Sequence, residues 1–288
     1  MEILVRGLVN GVIMAGILGI PVMGIAVIYG MTGIINFAIG SIGVFSAYIT
    51  WYFMDRNVLL AILLGLSCGF GLGYLIQVLL LTPVFERRKG DLNLFFLITN
   101  SLGLIFVGLT RVIFPRPTIR LDLPRLGSLT LLGVSLTGMR LFAVLFVVGC
   151  LLLLWLVETR TRVGKSWRAT SQNLRLAKVV GINTGQAFAV ASGIGCMLGS
   201  LGAILWGSLY NLTLTTGFQL TFTGYIIAVV GGIGNIIGGM VAALIMGMVI
   251  SFGGYGFAGA WQSVVLYGIA MVVLVLAPKG ILGSERSV

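Results

Sequence analysis

Two asparagines follow glycine-rich interruptions in otherwise apolar sequence. Residues 29–40 read Tyr-Gly-Met-Thr-Gly-Ile-Ile-Asn-Phe-Ala-Ile-Gly, and residues 229–239 read Val-Val-Gly-Gly-Ile-Gly-Asn-Ile-Ile-Gly-Gly; neither carries a charge. Gly30 and Gly33 flank Met31-Thr32 in the first, while Gly231, Gly232 and Gly234 fall within four positions in the second. Each such glycine weakens a helix by about 1 kcal/mol relative to alanine, so both stretches are expected to interrupt one. Asn36, with Phe37 beside it, and Asn235 then add amide donors and acceptors to freed backbone groups. That chemistry is reversible hydrogen bonding to a passing polar solute; the competing reading is a pair of structural kinks. Other chemistry is scarce. The chain has no histidine, the commonest general base and metal ligand. Cys68, Cys150 and Cys196 lie in apolar runs without metal-type spacing, as small buried residues do. The seven acids, Glu2, Asp55, Glu86, Asp91, Asp122, Glu158 and Glu285, all sit at segment ends or in loops. A nucleophile–base pair or a metal set is therefore missing, which argues against an enzyme and gives no reason to expect a cofactor. Gly164-Lys165-Ser166 matches the end of a phosphate-binding loop, but the glycine needed five residues earlier is Thr159. Any ATP hydrolysis has to come from another subunit.

The elements that hold these residues follow from composition. Of 288 residues, 58% are hydrophobic and only 9% are charged, against about 25% in soluble domains. Mean hydropathy is +1.13. These values specify an all-α, polytopic transmembrane helical bundle in the lipid bilayer. A span needs about 20 apolar residues, and cutting at charges gives eight long segments: 7–28, 38–54, 58–85, 92–114, 141–157, 186–210, 218–252 and 261–277. The fold expected is about eight spans with two interrupted or re-entrant segments. The first segment reads as a retained helix, lacking a convincing small-x-small cleavage site. The seventh is too long for one span and suits two helices joined at Gly231, Gly232 and Gly234. Residues 29–40 are read as either a crossing or a re-entrant turn.

The net charge of +11 is not a nucleic-acid signature, because the basic residues lie in short loops, where the positive-inside rule places them. Arg160, Arg162, Lys165, Arg168, Arg175 and Lys178 in loop 158–185, Arg87, Arg88 and Lys89 in loop 86–91, and Lys279 and Arg286 in the tail are assigned to the cytoplasm. Arg6, Arg56 and loop 115–140 are assigned outside. Pro115, Pro117 and Pro124 make that loop extended or turned, as a cap or a plain connector. Glycine is in surplus: 43 residues is about double the usual ~7%. Most recur every fourth position, as in Gly7-Gly11-Ala15-Gly19, Gly65-Gly69-Gly73, the run from Ala187 through Gly195 and Gly199 to Gly207, and Gly239-Ala243-Gly247-Ser251. Residues four apart share a helix face, so these stripes are seams for close helix packing.

Loop 158–185 has neither proline nor glycine from Ser166 to Val180. Trp167, Leu174 and Ala177 can share one face of an amphipathic helix, which Gly181-Ile182-Asn183 then stops. Such a helix could rest on anionic lipid or dock in a partner's groove.

In combination, four regions resemble the inner-membrane permease subunits of bacterial ABC importers for branched-chain amino acids, in particular the shorter of the two permease types. They are Ile28-Tyr29-Gly30 with Gly33-Ile34-Ile35-Asn36-Phe37-Ala38 and Gly40; Arg168-Ala169 through Ala177 to Gly181-Ile182-Asn183; Ala228 to Gly238; and the tail Ala277-Pro278-Lys279-Gly280-Ile281-Leu282-Gly283. The resemblance implies one transmembrane permease domain over 1–288, with 158–185 as its cytoplasmic coupling loop. It implies a heterodimer with a longer second permease subunit, two cytoplasmic ATP-binding subunits and a periplasmic substrate-binding protein. Arg168, Asn173, Ala177, Gly181 and Asn183 would meet an ATPase groove, and the substrate pathway would pass Gly30, Gly33, Asn36, Phe37, Gly231, Gly232, Gly234 and Asn235. The chain departs from the family at Ile39, where histidine is frequent, and at Asn235 and Ile237, where serine and proline are common. Urea, short amides and other amino acids stay open as substrates, and a channel or ion-coupled carrier acting without an ATPase is the alternative class.

Overall fold

The computed structural model describes residues 2–87, 92–122, 128–131, 134–256, 259–278 and 280–282. Arg88, Lys89, Asp91, Pro124, Arg125, Lys279, Gly283, Glu285 and Arg286 lie outside the described residues. The chain forms an all-α membrane bundle, as its composition requires. The helices are α1 (Glu2–Thr32), α2 (Ile39–Phe53), α3 (Val58–Ile76), α4 (Thr82–Arg87), α5 (Leu92–Ile113), α6 (Gly138–Arg160), α7 (Arg162–Gln172), α8 (Leu174–Val179), α9 (Thr184–Leu209), α10 (Thr216–Gly231), α11 (Ile236–Gly256) and α12 (Gly259–Leu276). A π-helical turn, Gln77–Leu81, joins α3 to α4. Among the described residues, 5 helices are long and apolar enough to cross a membrane, while α2, α10 and the described apolar stretches of α6 and α12 are shorter.

Glycine seams assemble the centre. α1 and α9 are buried almost throughout, and α3, α5 and α12 turn leucine, valine and isoleucine side chains outward. α11 runs antiparallel to α1 along the first stripe. A Cβ on Gly247 would lie 2.5 Å from the Ala15 nitrogen, and at the far end the Ser251 hydroxyl donates to the Gly7 carbonyl over 2.7 Å. α9 meets α1 through Gly195 against Gly24 and Ile28, and through Gly202 against the Pro21 ring. Gly65, Gly69 and Gly73 of α3 face Thr50, Ser200 and Ser192 respectively. Lipid supplies no hydrophobic force between helices, so backbone contact at these seams holds the bundle together.

The two ends differ as the charges imply. Phe85 of α4 packs against Phe188 of α9, Trp167 of α7 approaches Gly30 of α1, and the tail lies on Gly232. The basic segments thus share one end, called the basic end below. At the other end, the Tyr48 hydroxyl donates to the Pro117 carbonyl, and Arg116 lies over the Trp51 ring. There, four short strands among the described residues depart from the all-helical expectation. β1 (Thr118–Ile119) pairs antiparallel with β4 (Leu212–Thr213), and β2 (Ser128–Leu131) pairs with β3 (Val134–Thr137). The Leu121 amide donates to the Gly207 carbonyl. The start of loop 115–140 is thereby pinned across the bundle end and is more than a connector.

Candidate functional site

Residues 29–40 resolve as a reversal. α1 continues through Thr32, and the chain turns at Gly33, whose φ is +67°. Gly30 therefore lies inside the helix, a correction to its expected place in the break. Its role is contact: a Cβ there would sit 3.3 Å from the Gly234 carbonyl oxygen. Residues 33–38 then return along α10, and α2 begins at Ile39, which touches both Gly199 midway along α9 and the space beside Gly24. At 15 residues, α2 is about 22 Å long, short of the ~30 Å hydrocarbon layer.

The broken backbone is satisfied by protein. Ile34 N–H donates to the Thr32 hydroxyl, Ala38 N–H to the Asn36 side-chain oxygen, and Gly40 N–H to the Thr221 hydroxyl, each at 3.0 Å. Asn36 N–H donates to the Tyr225 hydroxyl over 2.6 Å, and that hydroxyl donates back to the Asn36 carbonyl over 3.2 Å. Asn36 is only 2% exposed, so here it organises the turn. Phe37 stacks on Tyr225 with ring centroids 4.9 Å apart and meets Phe96 and Phe222. Sequence reading missed Thr221 and Tyr225. Their signal is a line of small and polar residues at four-residue spacing, Gly217-Thr221-Tyr225, along α10.

The second break separates α10 from α11 as expected. Gly232 and Gly234 have φ of 103° and 87°, and Gly231 packs directly on Gly238. The Asn235 side chain closes this turn twice: its oxygen accepts from Gly238 N–H at 3.1 Å, and its amide donates to the Leu282 carbonyl at 2.8 Å. The tail follows the break. Ile281 N–H donates to the Val230 carbonyl and Leu282 N–H to the Gly231 carbonyl, at 2.8 and 3.2 Å. Gly280, with φ 81°, lies against Gly232 so closely that any side chain would collide with its backbone. The tail is thus a strap across the break, which its sequence alone did not disclose.

The coupling loop reaches the last turn of α1, beside the contact of Gly30 with Gly234. Trp167 is buried among Met23, Val27, Met31 and Phe188, with its indole nitrogen near Gly30. The expected continuous helix is instead two, because Asn173 leaves helical geometry and its side-chain oxygen caps Leu176 N–H. Gly181, with φ 86°, ends α8, and Asn183 caps α9 through Gln186 N–H. Of the residues expected in a partner's groove, Asn173, Gly181 and Asn183 are exposed and Arg168 is half-buried. Ala177 is a correction: at 4% exposure it faces the bundle, on the same side as Trp167. The apolar side chains that project are Leu176, Val179 and Val180, at 60%, 82% and 79% exposure, with Lys178 exposed among them. The Gly164-Lys165-Ser166 fragment lies within α7, where Gly164 N–H is taken up by Thr161.

Residues 7–275 match the family model described as branched-chain amino acid transport system, permease component. The chain belongs to this family. Permease proteins similar to it include the high-affinity branched-chain amino acid transport system permease protein BraD of Pseudomonas aeruginosa, 28% identical over 97% of this chain and 95% of that protein. Another is its counterpart LivH of Escherichia coli, 25% identical over 96% and 94%. A probable LivH of Methanocaldococcus jannaschii is 27% identical over 96% and 91%. Among solved structures, PsaBC from Streptococcus pneumoniae in complex with Fab shares the fold, with a TM-score of 0.51 and 15% identity over 94% of this chain and 91% of that one. As an ABC-importer permease, this family member is a non-catalytic, multi-pass transport subunit.

Proposed function

We propose that this permease, one membrane domain over residues 1–288, carries branched-chain amino acids across a bacterial inner membrane by alternating access. ATP-binding subunits at the basic end drive it, beside a second, longer permease subunit, with a periplasmic binding protein delivering substrate. The observation that carries the reading is the convergence at the basic end. The reversal at Gly33 ends α1, Gly234 of the hinge and Trp167 of the coupling loop both approach Gly30 in its last turn, and the tail strap is bonded to the hinge. A displacement of loop 158–185 therefore reaches both breaks through buried contacts. In the conformation described, Asn36 and Asn235 hold the two turns closed. We assign them, with Gly30, Gly33, Phe37, Gly231, Gly232 and Gly234, to the moving wall of the pathway. Leu176, Val179 and Val180 form the knob offered to the ATPase groove, with Arg168, Asn173, Gly181 and Asn183 shaping it.

The test is purification followed by reconstitution. The tagged chain is expected to bring down a second permease and ATP-binding subunits, and the assembly to take up leucine only with ATP and loaded binding protein. Leucine flux through this chain alone, without ATP, would refute the importer reading in favour of a channel or carrier.

A further inference from the structure

Many buried serines and threonines of this bundle bond the carbonyl four residues back, and Ser192 and Ser251 bond Gln77 and Gly7 instead. Ser46 donates to Ile42, Thr50 to Ser46, Ser200 to Cys196 and Thr221 to Gly217, each to the carbonyl four residues back. Ser41 does neither. Its position four residues back is Phe37, in the irregular stretch before α2. Its hydroxyl is the one buried side-chain oxygen or nitrogen without a hydrogen-bond partner among the described residues, and Ser41 is 1% exposed. A buried unpaired hydroxyl opposes folding where alanine would not, so its presence calls for another reason.

Its surroundings supply one. Ser41 sits in the first turn of α2, and the first turn of α10 lies against it. A Cβ on Gly217 would fall 2.9 Å from the Ser41 Cα, and one on Gly40 would overlap the Gly217 carbonyl. Both short helices thus begin at the same depth in the bundle and run to opposite ends. Ala38 and Thr215, the residues preceding the two helices, make no side-chain cap bond, and of the first-turn amides of α2 that of Gly40 is taken by the Thr221 hydroxyl. Uncapped first turns carry partial positive charge, and two facing one point are suited to an anion. No acidic residue offsets them, since all seven lie at segment ends or in loops. A methyl on Gly103 of α5 would sit 3.3 Å from the Ser41 hydroxyl and 3.4 Å from the Phe218 ring, so ring, hydroxyl and α5 close over the place in this conformation. About one helical turn further along α10, Phe37, Phe222 and Tyr225 form a continuous aromatic surface.

We infer that this junction recognises the carboxylate of an amino acid in transit. The Ser41 hydroxyl and the first-turn amides of α2 and α10 other than those of Gly40 and Phe218, which Thr221 and Thr215 hold, act as donors, and the aromatic surface receives the aliphatic side chain. Opening requires the Phe218 ring to swing away. The inference rests on the permease reading above and deepens it.

The experiment compares the complete reconstituted importer with a Ser41→Ala variant. Leucine uptake per ATP hydrolysed is expected to fall about tenfold, the size of one lost hydrogen bond to a charged group, while the thermal unfolding midpoint stays equal or rises. A fall in uptake matched by a fall in the midpoint would mark Ser41 as structural and overturn the site. Binding of radiolabelled leucine to the purified complex without binding protein is the second measurement, with leucinol, which lacks the carboxylate, as competitor. Leucinol competing as well as leucine, or no leucine binding at all by an actively transporting complex, would also overturn the site. Uptake that Ser41→Ala leaves unchanged sinks the site alone; no leucine uptake by the unsubstituted complex sinks the substrate reading and the site with it.

Discussion

The Tyr225 hydroxyl serves two backbone groups of one residue, accepting from Asn36 N–H and donating to the Asn36 carbonyl. Tyr225→Phe keeps the ring stacked on Phe37 and removes both bonds. Leaving buried polar groups unpaired costs about 1–3 kcal/mol, so chemical denaturation in detergent should show a loss of that size, and uptake should fall with it. An unaltered denaturation midpoint would mean that the reversal at Gly33 does not need this clasp. Asn36 itself was legible in the sequence as a polar residue after a break. Its partner was not, because Tyr225 is 189 positions away and no local spacing links them. Asn235 shows the same division: its cap on Gly238 follows from sequence position, while its bond to Leu282 depends on where the tail lies.

At the scale of elements, the two short helices and the split coupling loop decide how motion could travel. α7 ends where Asn173 turns outward to cap α8, which leaves Trp167 and Ala177 against the bundle and Leu176, Val179 and Val180 facing out. Val179→Asp changes a side chain that touches little, so stability should change by less than about 0.5 kcal/mol. Co-purification of ATP-binding subunits should nevertheless drop severalfold; full retention would take Val179 out of the interface. Trp167→Ala removes a buried ring, costing about 3–5 kcal/mol. Trp167→Phe, keeping most of that volume, should restore stability and ATP-coupled uptake together. Stability without coupling would place the indole nitrogen near Gly30 in the relay. The amphipathic pattern of 166–180 was readable as one helix. Its division was missed because asparagine caps by abandoning helical geometry, which a pattern of apolar positions does not record.

For the whole molecule, the charges divided the loops into two sets, and the fold gathers each set at one end. A cysteine at Lys165, exposed on α7, should react with an impermeant maleimide in inside-out vesicles and be protected in intact cells, while one at Asn211 at the far end should do the reverse. Labelling of both from the same side would overturn the orientation. The sequence by itself determined that the chain is a helical membrane bundle, where most helices lie, which faces pack through glycine and where the helices break. These are local consequences of hydropathy, four-residue spacing and the helix cost of glycine. Tertiary structure alone decided that α2 and α10 start together in mid-bundle, that the tail straps the second hinge, and that Tyr225 and Thr221 hold the first break while Trp167 lies beside Gly30. Those contacts join residues far apart in the chain. In a bilayer, every backbone group freed by a break must find such a partner within the protein, so the fold chooses partners that local sequence does not specify.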